Sequence, residues 1–178
     1  MTTALLVIDV QRALSSGDWA AFDVGRVIDN INVLAARARD SGAPVVFVQH
    51  EEEGGPFAYG TERWELADGL VVSPDDILVR KTTTNSFHRT NLHEVLQSRG
   101  VGRLVVCGLQ TDFCVDTTIR QSLPLGYRVI VAADAHSTVD GVLTARQVID
   151  HHNHVFRNIT SFGPVIAVTP TVEIAFDE

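Results

Sequence analysis

Features of disulfide-rich, secreted or membrane-spanning proteins are scarce in this sequence. Cysteine occurs only at Cys107 and Cys114 in 178 residues, which excludes a small disulfide scaffold and favours a reducing, cytoplasmic setting. No apolar run approaches the roughly 20 residues that span a bilayer. The first apolar run follows no basic segment and ends at Asp9, so we expect a strand there rather than a signal peptide.

Positive charge is scarce as well. The chain has 14 Lys and Arg against 22 Asp and Glu, a formal charge of −8, and no run of basic residues. Nucleic acids and anionic membranes are therefore not expected partners. Apolar residues make up 45% and charged residues 20%, as in ordinary globular proteins. This length and composition predict one domain over residues 1–178, with a full hydrophobic core.

Short apolar runs alternate with amphipathic segments along the chain. Six runs predict buried strands, at residues 4–8, 45–48, 77–79, 104–106, 129–132 and 165–168. Apolar residues spaced three and four apart predict helices between them, including one over about residues 112–123 and a last one beginning with a capping box at 144–147. This alternation predicts an α/β fold, a parallel sheet with helices on both faces. The long connection over residues 51–74 is rich in Gly and acidic residues; we expect a short helix at 62–67 and a role in covering a site.

Reactive side chains follow the predicted strands. They are Asp9, His50, Lys81, Cys114 and the pair Asp134 and His136. Because ligands bind at the carboxyl ends of the strands in open parallel sheets, these groups should meet at one edge of the sheet.

Cys114 is the candidate nucleophile. It lies in the first turn of a predicted helix that Thr111 or Asp112 could cap, where the helix dipole is expected to lower the pKa of a thiol. Asp9 could take the thiol proton and Lys81 could stabilise the thiolate. Taken singly, each residue has an ordinary alternative: a small buried side chain, a turn cap or a solvated charge. Buried packing is also the interpretation for Cys107, inside a strand.

Three segments resemble the isochorismatase-like cysteine hydrolases. They are LLVIDVQ with Asp9, Lys81 with Ser86-Phe87 downstream, and GLQTDFCV ending at Val115. The family includes nicotinamidases, N-carbamoylsarcosine amidases, ureidoacrylate hydrolases and true isochorismatases, and the resemblance runs through nearly the whole chain. It implies a three-layer α/β/α fold with a six-stranded, mostly parallel sheet in Rossmann-like order.

The resemblance also implies a site. Asp9, Lys81 and Cys114 match the catalytic triad without substitution. A cis peptide bond is implied at Leu109–Gln110, with the backbone N–H groups of Gln110 and Cys114 as the oxyanion hole. Metal-binding nicotinamidases carry Asp-x-His after the second strand, whereas His50 is followed here by three glutamates. We therefore expect neither a metal nor an organic cofactor, although a metal at His50 or at residues 51–53 stays open.

The implied activity is hydrolysis of a C–N bond in a small amide, ureido or lactam-like substrate through a thioester. Two alternatives stay open: vinyl ether hydrolysis of the isochorismatase type, with Cys114 dispensable, or a non-catalytic binding or scaffold protein on the same fold. The residues that we expect to line the substrate site are Trp19, Phe57, Trp64, Phe87, Gln110 and Phe113. A homodimer or higher homo-oligomer is expected, with the aromatic residues of 51–74 and the last helix, including Phe156, near the contact.

Overall fold

A six-stranded sheet forms the centre of the protein in the computed structural model, which describes residues 1–163 and 165–177. Its strands are β1 (Thr2–Ile8), β2 (Val45–His50), β3 (Ile77–Lys81), β4 (Val101–Leu109), β5 (Arg128–Ser137) and β6 (Ile166–Thr169). The order across the sheet is β3-β2-β1-β4-β5-β6, and all neighbouring strands are parallel. The six predicted strands are thereby confirmed, and β4 and β5 run well beyond their predicted ends.

Helices cover both faces of the sheet. They are α1 (Arg12–Ser15), α2 (Val24–Asp40), α3 (Leu92–Gln97), α4 (Asp116–Ser122) and α5 (Ala145–Arg157). Helix α2 packs on one face, and α3, α4 and α5 pack on the other, which confirms the three-layer α/β/α fold. The capping box of α5 is also present, because Thr144 and Gln147 exchange both hydrogen bonds. Within the described residues, no helix combines the length and apolarity needed to cross a bilayer.

The apolar run of β1 explains why this strand lies at the centre of the sheet. Leu5 and Val7 belong to the core on the α2 side, whereas Leu6 and Ile8 belong to the core on the other side. These four side chains are at most 1% exposed. A strand buried on both faces needs apolar residues at successive positions rather than at alternate ones.

The short helix predicted at 62–67 is wrong. Residues there form turns, and their backbone groups bond to the segment that follows β1. The carbonyls of Glu65 and Arg63 accept from the N–H groups of Arg12 and Ala13, both at 2.9 Å. These two donors belong to the unsatisfied first turn of α1, so pairing with a distant loop competes successfully against a local helix.

The sheet has its topological switch point between β1 and β4. The chain proceeds from β1 outwards to β2 and β3, and then returns to β4 on the other side of β1. Gly108 of β4 pairs with Ile8 and has φ +117°, and a Cβ atom there would lie 2.1 Å from the carbonyl oxygen of Ile8. Glycine therefore permits the close approach of these strands at the edge where open α/β sheets bind ligands.

Candidate active site

Asp9 and Lys81 form a buried ion pair at this edge of the sheet. Asp9 directly follows β1 in the left-handed conformation, with φ 50°, and its N–H donates to the carbonyl of Val48 at 2.9 Å. Lys81 is the last residue of β3, and its side chain crosses the end of β2 to reach Asp9. Lys81 Nζ donates to Asp9 Oδ2 at 2.6 Å, and the two side chains are 0% and 2% exposed. Asp tolerates the left-handed conformation better than most residues, which suits it to this tight strand end.

Cys114 completes the group from the other side of the switch point. Lys81 Nζ lies 3.3 Å from Cys114 Sγ, so one ammonium contacts both the carboxylate and the thiol. The second carboxylate oxygen, Asp9 Oδ1, is buried and has no hydrogen-bond partner among the described residues. The three residues predicted to form a triad are therefore in contact, with one acceptor oxygen unused.

The turn that carries Cys114 differs from its prediction. Residues Thr111–Val115 form a π-helical turn, and α4 begins only at Asp116. Capping by Thr111 or Asp112 is wrong, since both residues lie inside the turn and its N-cap residue, Gln110, makes no side-chain cap hydrogen bond. The hydroxyl of Thr111 instead lies 2.9 Å from His136 Nδ1, and Asp112 Oδ1 accepts from Thr138 at 2.6 Å. Both side chains tie the turn to β5 and the residue after it.

The expected lowering of the thiol pKa is also wrong. The pKa of Cys114 is raised to about 12, first by burial and then by the negative charge of Asp9, and Lys81 offsets only part of this rise. Cys114 is half-buried and lies in a π-helical turn rather than at an open helix N-terminus. The resting thiol is therefore protonated. Burial within β4 raises the pKa of Cys107 as well.

His136 supports the Cys114 turn from inside β5, rather than following the strand as predicted. Asn153 of α5 donates from Nδ2 to the carbonyl of Ala133, which leaves its Oδ1 to accept from His136 Nε2 at 3.1 Å. The Nδ1 atom of His136 can then accept from the hydroxyl of Thr111. Burial lowers the pKa of His136 to about 4, so this imidazole is neutral.

Asp134 likewise lies within β5, where its carboxylate accepts from Thr171.

Gln110 stands between β4 and the Cys114 turn. The Leu109–Gln110 peptide bond is cis, as the resemblance implied. The carbonyl oxygen of Gln110 accepts from the N–H groups of Phe113 and Val115 at 3.2 and 3.1 Å, and so starts the π-helical turn. The half-buried Gln110 thus directly precedes the turn that carries Cys114. An oxyanion hole formed by the N–H groups of Gln110 and Cys114 stays a prediction.

The aromatic residues predicted to line the site are spread over several surroundings. Phe57 packs edge-on against His50, with ring centroids 5.3 Å apart. Phe113, beside Cys114 in the chain, is 51% exposed. Phe87 stacks on Tyr127 and packs against the same apolar cluster as Cys114.

Trp64 and Trp19 lie in the segments around α1. Trp64 contacts Tyr59, and its carbonyl accepts from Gln11 Nε2 at 2.7 Å. Trp19 is 61% exposed and lines an open cavity of about 450 Å³ with Arg12, Arg63 and neighbouring residues. Within residues 1–163 and 165–177, the lining of that cavity includes none of the triad. Trp19 is therefore not brought together with Cys114.

His50 meets Lys81 at the edge of the sheet where the sequence placed both, as the last residue of β2 rather than after the strand. It pairs with Lys81 in the β2–β3 register, and its Nδ1 lies 3.4 Å from Lys81 Nζ. Its Nε2 lies 3.1 Å from Glu52 Oε1. The described part of the chain holds no group of three or more His, Cys, Asp or Glu side chains arranged for a metal ion. Parallel pairing of the second and third predicted strands is the sequence signal that could have placed His50 beside Lys81.

Comparisons with known proteins identify the family of this chain. The family described as Isochorismatase domain matches residues 3–169. Streptothricin hydrolase of Streptomyces noursei is 43% identical over 138 residues, which cover 77% of this chain and 50% of that protein. Ureidoacrylate amidohydrolase RutB of Pseudomonas syringae is 36% identical, over 75% of this chain and 69% of that protein. The chain thus spans about half the length of the streptothricin hydrolase that it matches.

A solved structure shows the same architecture. N-carbamoylsarcosine amidase of Thermoplasma acidophilum superposes with a TM-score of 0.83 and 26% identity, covering 98% of this chain and 99% of that one. Fold, strand-end residues and sequence similarity over residues 3–169 agree, and the chain belongs to the isochorismatase family.

Proposed function

We propose that this chain is a cysteine-dependent amidohydrolase that cleaves a C–N bond in a small amide, ureido or lactam-like substrate through a thioester. The observation that carries the proposal is the contact of Lys81 Nζ with both Asp9 Oδ2 and Cys114 Sγ at the switch point. Relatives named as an amidohydrolase and an amidase support C–N hydrolysis. No step below requires an organic cofactor or a metal.

The first half-reaction starts from a protonated thiol. Because the pKa of Cys114 is raised to about 12, Asp9 Oδ1 accepts the Sγ proton as the sulfur attacks the carbonyl carbon. The backbone N–H groups of Gln110 and Cys114 would donate to the oxyanion that forms. The tetrahedral intermediate collapses when Asp9 returns its proton to the leaving nitrogen, which departs as ammonia or an amine.

The second half-reaction reuses Asp9 as a base. Its carboxylate takes a proton from water, the resulting hydroxide attacks the thioester, and the proton then returns to the departing sulfur. Lys81 holds Asp9 Oδ2 throughout, so that Oδ1 remains the oxygen that exchanges protons. Lys81 therefore keeps its hydrogen bond to Oδ2 while the carboxyl group alternates between base and acid.

Turnover and trapping together test the proposal. A panel of carboxamide, ureido, carbamoyl and lactam compounds should reveal ammonia or amine release by the wild-type protein. Mass spectrometry during turnover should find an acyl adduct on Cys114. Cys114→Ala should lose activity, whereas Cys107→Ala, the matched control in β4, should keep it. Confirmed turnover with Cys114 always unmodified would reject covalent catalysis, and isochorismate hydrolysis by Cys114→Ala would support the vinyl ether alternative.

We also propose a cytoplasmic location and a symmetric homodimer as the minimum assembly. Tyr59, in the connection over residues 51–74, is 63% exposed and available to a partner. Phe156 of α5 is fully buried in the chain's own core, so the expectation that it contributes to a contact is wrong. Sedimentation equilibrium tests the assembly, because a particle of 19.4 kDa at micromolar concentration would contradict a dimer.

A further inference from the structure

The ammonium group of Lys81 has three acceptors around it. Nζ lies 2.6 Å from Asp9 Oδ2, 3.3 Å from Cys114 Sγ and 3.4 Å from His50 Nδ1. An ammonium carries three protons and can only donate, so Nδ1 of His50 must be the acceptor in the third contact. The Lys81 side chain is 0% exposed, and water is therefore poorly placed to replace a lost acceptor.

Glu52 determines which ring nitrogen of His50 carries the proton. Its Oε1 lies 3.1 Å from His50 Nε2, and a carboxylate there requires the Nε2–H form of the ring. That form leaves the lone pair of Nδ1 directed at the ammonium. A partner on the far nitrogen commonly sets the state of a working histidine in this way.

The surroundings hold the backbone of both residues and the ring of His50 in place. The backbone N–H and carbonyl of His50 bond to the side chain of Gln11 at 2.9 and 3.0 Å. The N–H of Glu52 donates to the carbonyl of Phe57, and the ring of Phe57 packs against that of His50. The start of the connection over residues 51–74 is thus built against the active-site lysine.

We infer that His50 and Glu52 are positioning residues of the active site, which hold the Lys81 ammonium so that it contacts Asp9 and Cys114 together. The inference rests on the proposed cysteine hydrolase function. The contact with Cys114 is the longer of the two working contacts, so it is the first to weaken if the ammonium turns. Because the pair acts through Lys81, its loss should lower kcat and leave KM nearly unchanged.

Substitutions at His50 separate an acceptor role from simple packing. His50→Leu removes the acceptor and should lower kcat roughly 10- to 100-fold. His50→Asn offers an amide oxygen close to the position of Nδ1 and should recover most of that loss. Glu52→Gln should lower kcat several-fold, whereas Glu53→Gln makes the same charge change at an exposed neighbouring residue and should have no effect. His154→Leu, at an exposed position on α5, is the matched control for His50→Leu.

A second measurement needs no substrate. Lys81 lowers the pKa of Cys114, so a displaced ammonium should slow alkylation of Cys114 by iodoacetamide. At pH 9 the rate in His50→Leu should fall several-fold, with the rates in His50→Asn and Glu53→Gln close to wild type. This result would uphold the inference even if every amide substrate fails, so the two proposals can fail separately. His50→Leu with kcat and alkylation within twofold of wild type would overturn it, and so would equal losses in His50→Asn and His50→Leu.

Discussion

The Cys114 thiol should react slowly with iodoacetamide, although it is the proposed nucleophile. Its pKa is raised from the ordinary value of 9.0 to about 12. At pH 8, a rise of this size lowers the thiolate fraction roughly 10³-fold. A more basic thiolate is also more nucleophilic, which raises the alkylation rate of the thiolate about 20-fold at a Brønsted slope of about 0.45. We therefore expect alkylation roughly 50-fold slower than that of an unhindered peptide thiol.

Peptide mass spectrometry after timed alkylation measures this rate directly. Between pH 6 and 10 the rate at Cys114 should rise about tenfold per pH unit, with no plateau, because the thiol titrates above this range. The fully buried Cys107 should stay unmodified and so reports any unfolding during the assay. A plateau below pH 9, or a rate equal to that of the peptide thiol, would mean a resting thiolate paired with Lys81. The proposed transfer of the thiol proton to Asp9 would then be refuted.

The Asp9→Asn variant, measured in the same assay, tests whether Asp9 acts as the base. The charge of Asp9 raises the pKa of Cys114, so its removal should speed alkylation at pH 8. The same substitution removes the proposed base and should abolish turnover. A thiol that alkylates faster in an inactive variant would show that the role of Asp9 is proton transfer during the reaction. Slower alkylation in Asp9→Asn would contradict this assignment.

Three further predictions concern stability. Gly108→Ala should lower the free energy of unfolding, measured in urea, by more than about 3 kcal/mol, because its Cβ would lie 2.1 Å from a β1 carbonyl oxygen. Gly126 also has a positive φ but has open space around it, so Gly126→Ala should lower the free energy of unfolding by only about 1–2 kcal/mol. Asp9→Asn and Lys81→Met should each lower the free energy of unfolding by about 3–5 kcal/mol, because each leaves a buried charge unpaired. The double variant should lose much less than the sum of the two single losses. The free energy of unfolding should fall by about 3 kcal/mol as pH drops from 6.5 to about 4. The pKa of His136 is lowered in the folded state, so between these pH values the histidine takes up a proton only in the unfolded state, which that proton stabilises.

Each stability prediction has an outcome that would contradict it. Equal losses in the two glycine variants would mean that the approach of β4 to β1 is not limited by residue 108. Additive losses at Asp9 and Lys81 would mean that the two charges are not coupled. For His136, the stability of His136→Gln should be flatter over the same pH range than that of the wild type, and an unchanged pH dependence would assign the effect to other groups.

The positions of the triad could be predicted because they depend on strand ends. An unbroken apolar run identifies a strand buried on both faces, and parallel strands present their carboxyl ends at one edge. Asp9, Lys81 and the turn leading to Cys114 all stand at such ends, so the pattern of the sequence was sufficient to gather them. Residues 62–67 were mispredicted because long-range backbone bonds to α1 decide their conformation, and local sequence carries no signal of these bonds.

The raised pKa of Cys114 could not be predicted from the sequence, for a different reason. A pKa depends on burial and on distances to charges, which the spacing of residues along the chain does not contain. The sequence suggested a helix N-terminus and hence an acidic thiol, whereas the folded chain half-buries Cys114 in a π-helical turn beside Asp9. The contact of His50 with Lys81 depends on the register of β2 against β3, for which parallel pairing of the two predicted strands was the available signal.

The two oxygens of Asp9 show how one carboxylate could serve both half-reactions of the proposed mechanism. Oδ2 is held by Lys81 at 2.6 Å, while Oδ1 has no partner among the residues that the structure describes. A base that had to break its ion pair before each proton transfer would have to expose a buried charge every time. Here Lys81 keeps its hydrogen bond to Oδ2 while Oδ1 exchanges protons with sulfur, nitrogen and water. The close approach of β4 at Gly108 brings the Cys114 turn within reach of this carboxylate, so a single glycine links the packing of the sheet to the chemistry at its edge.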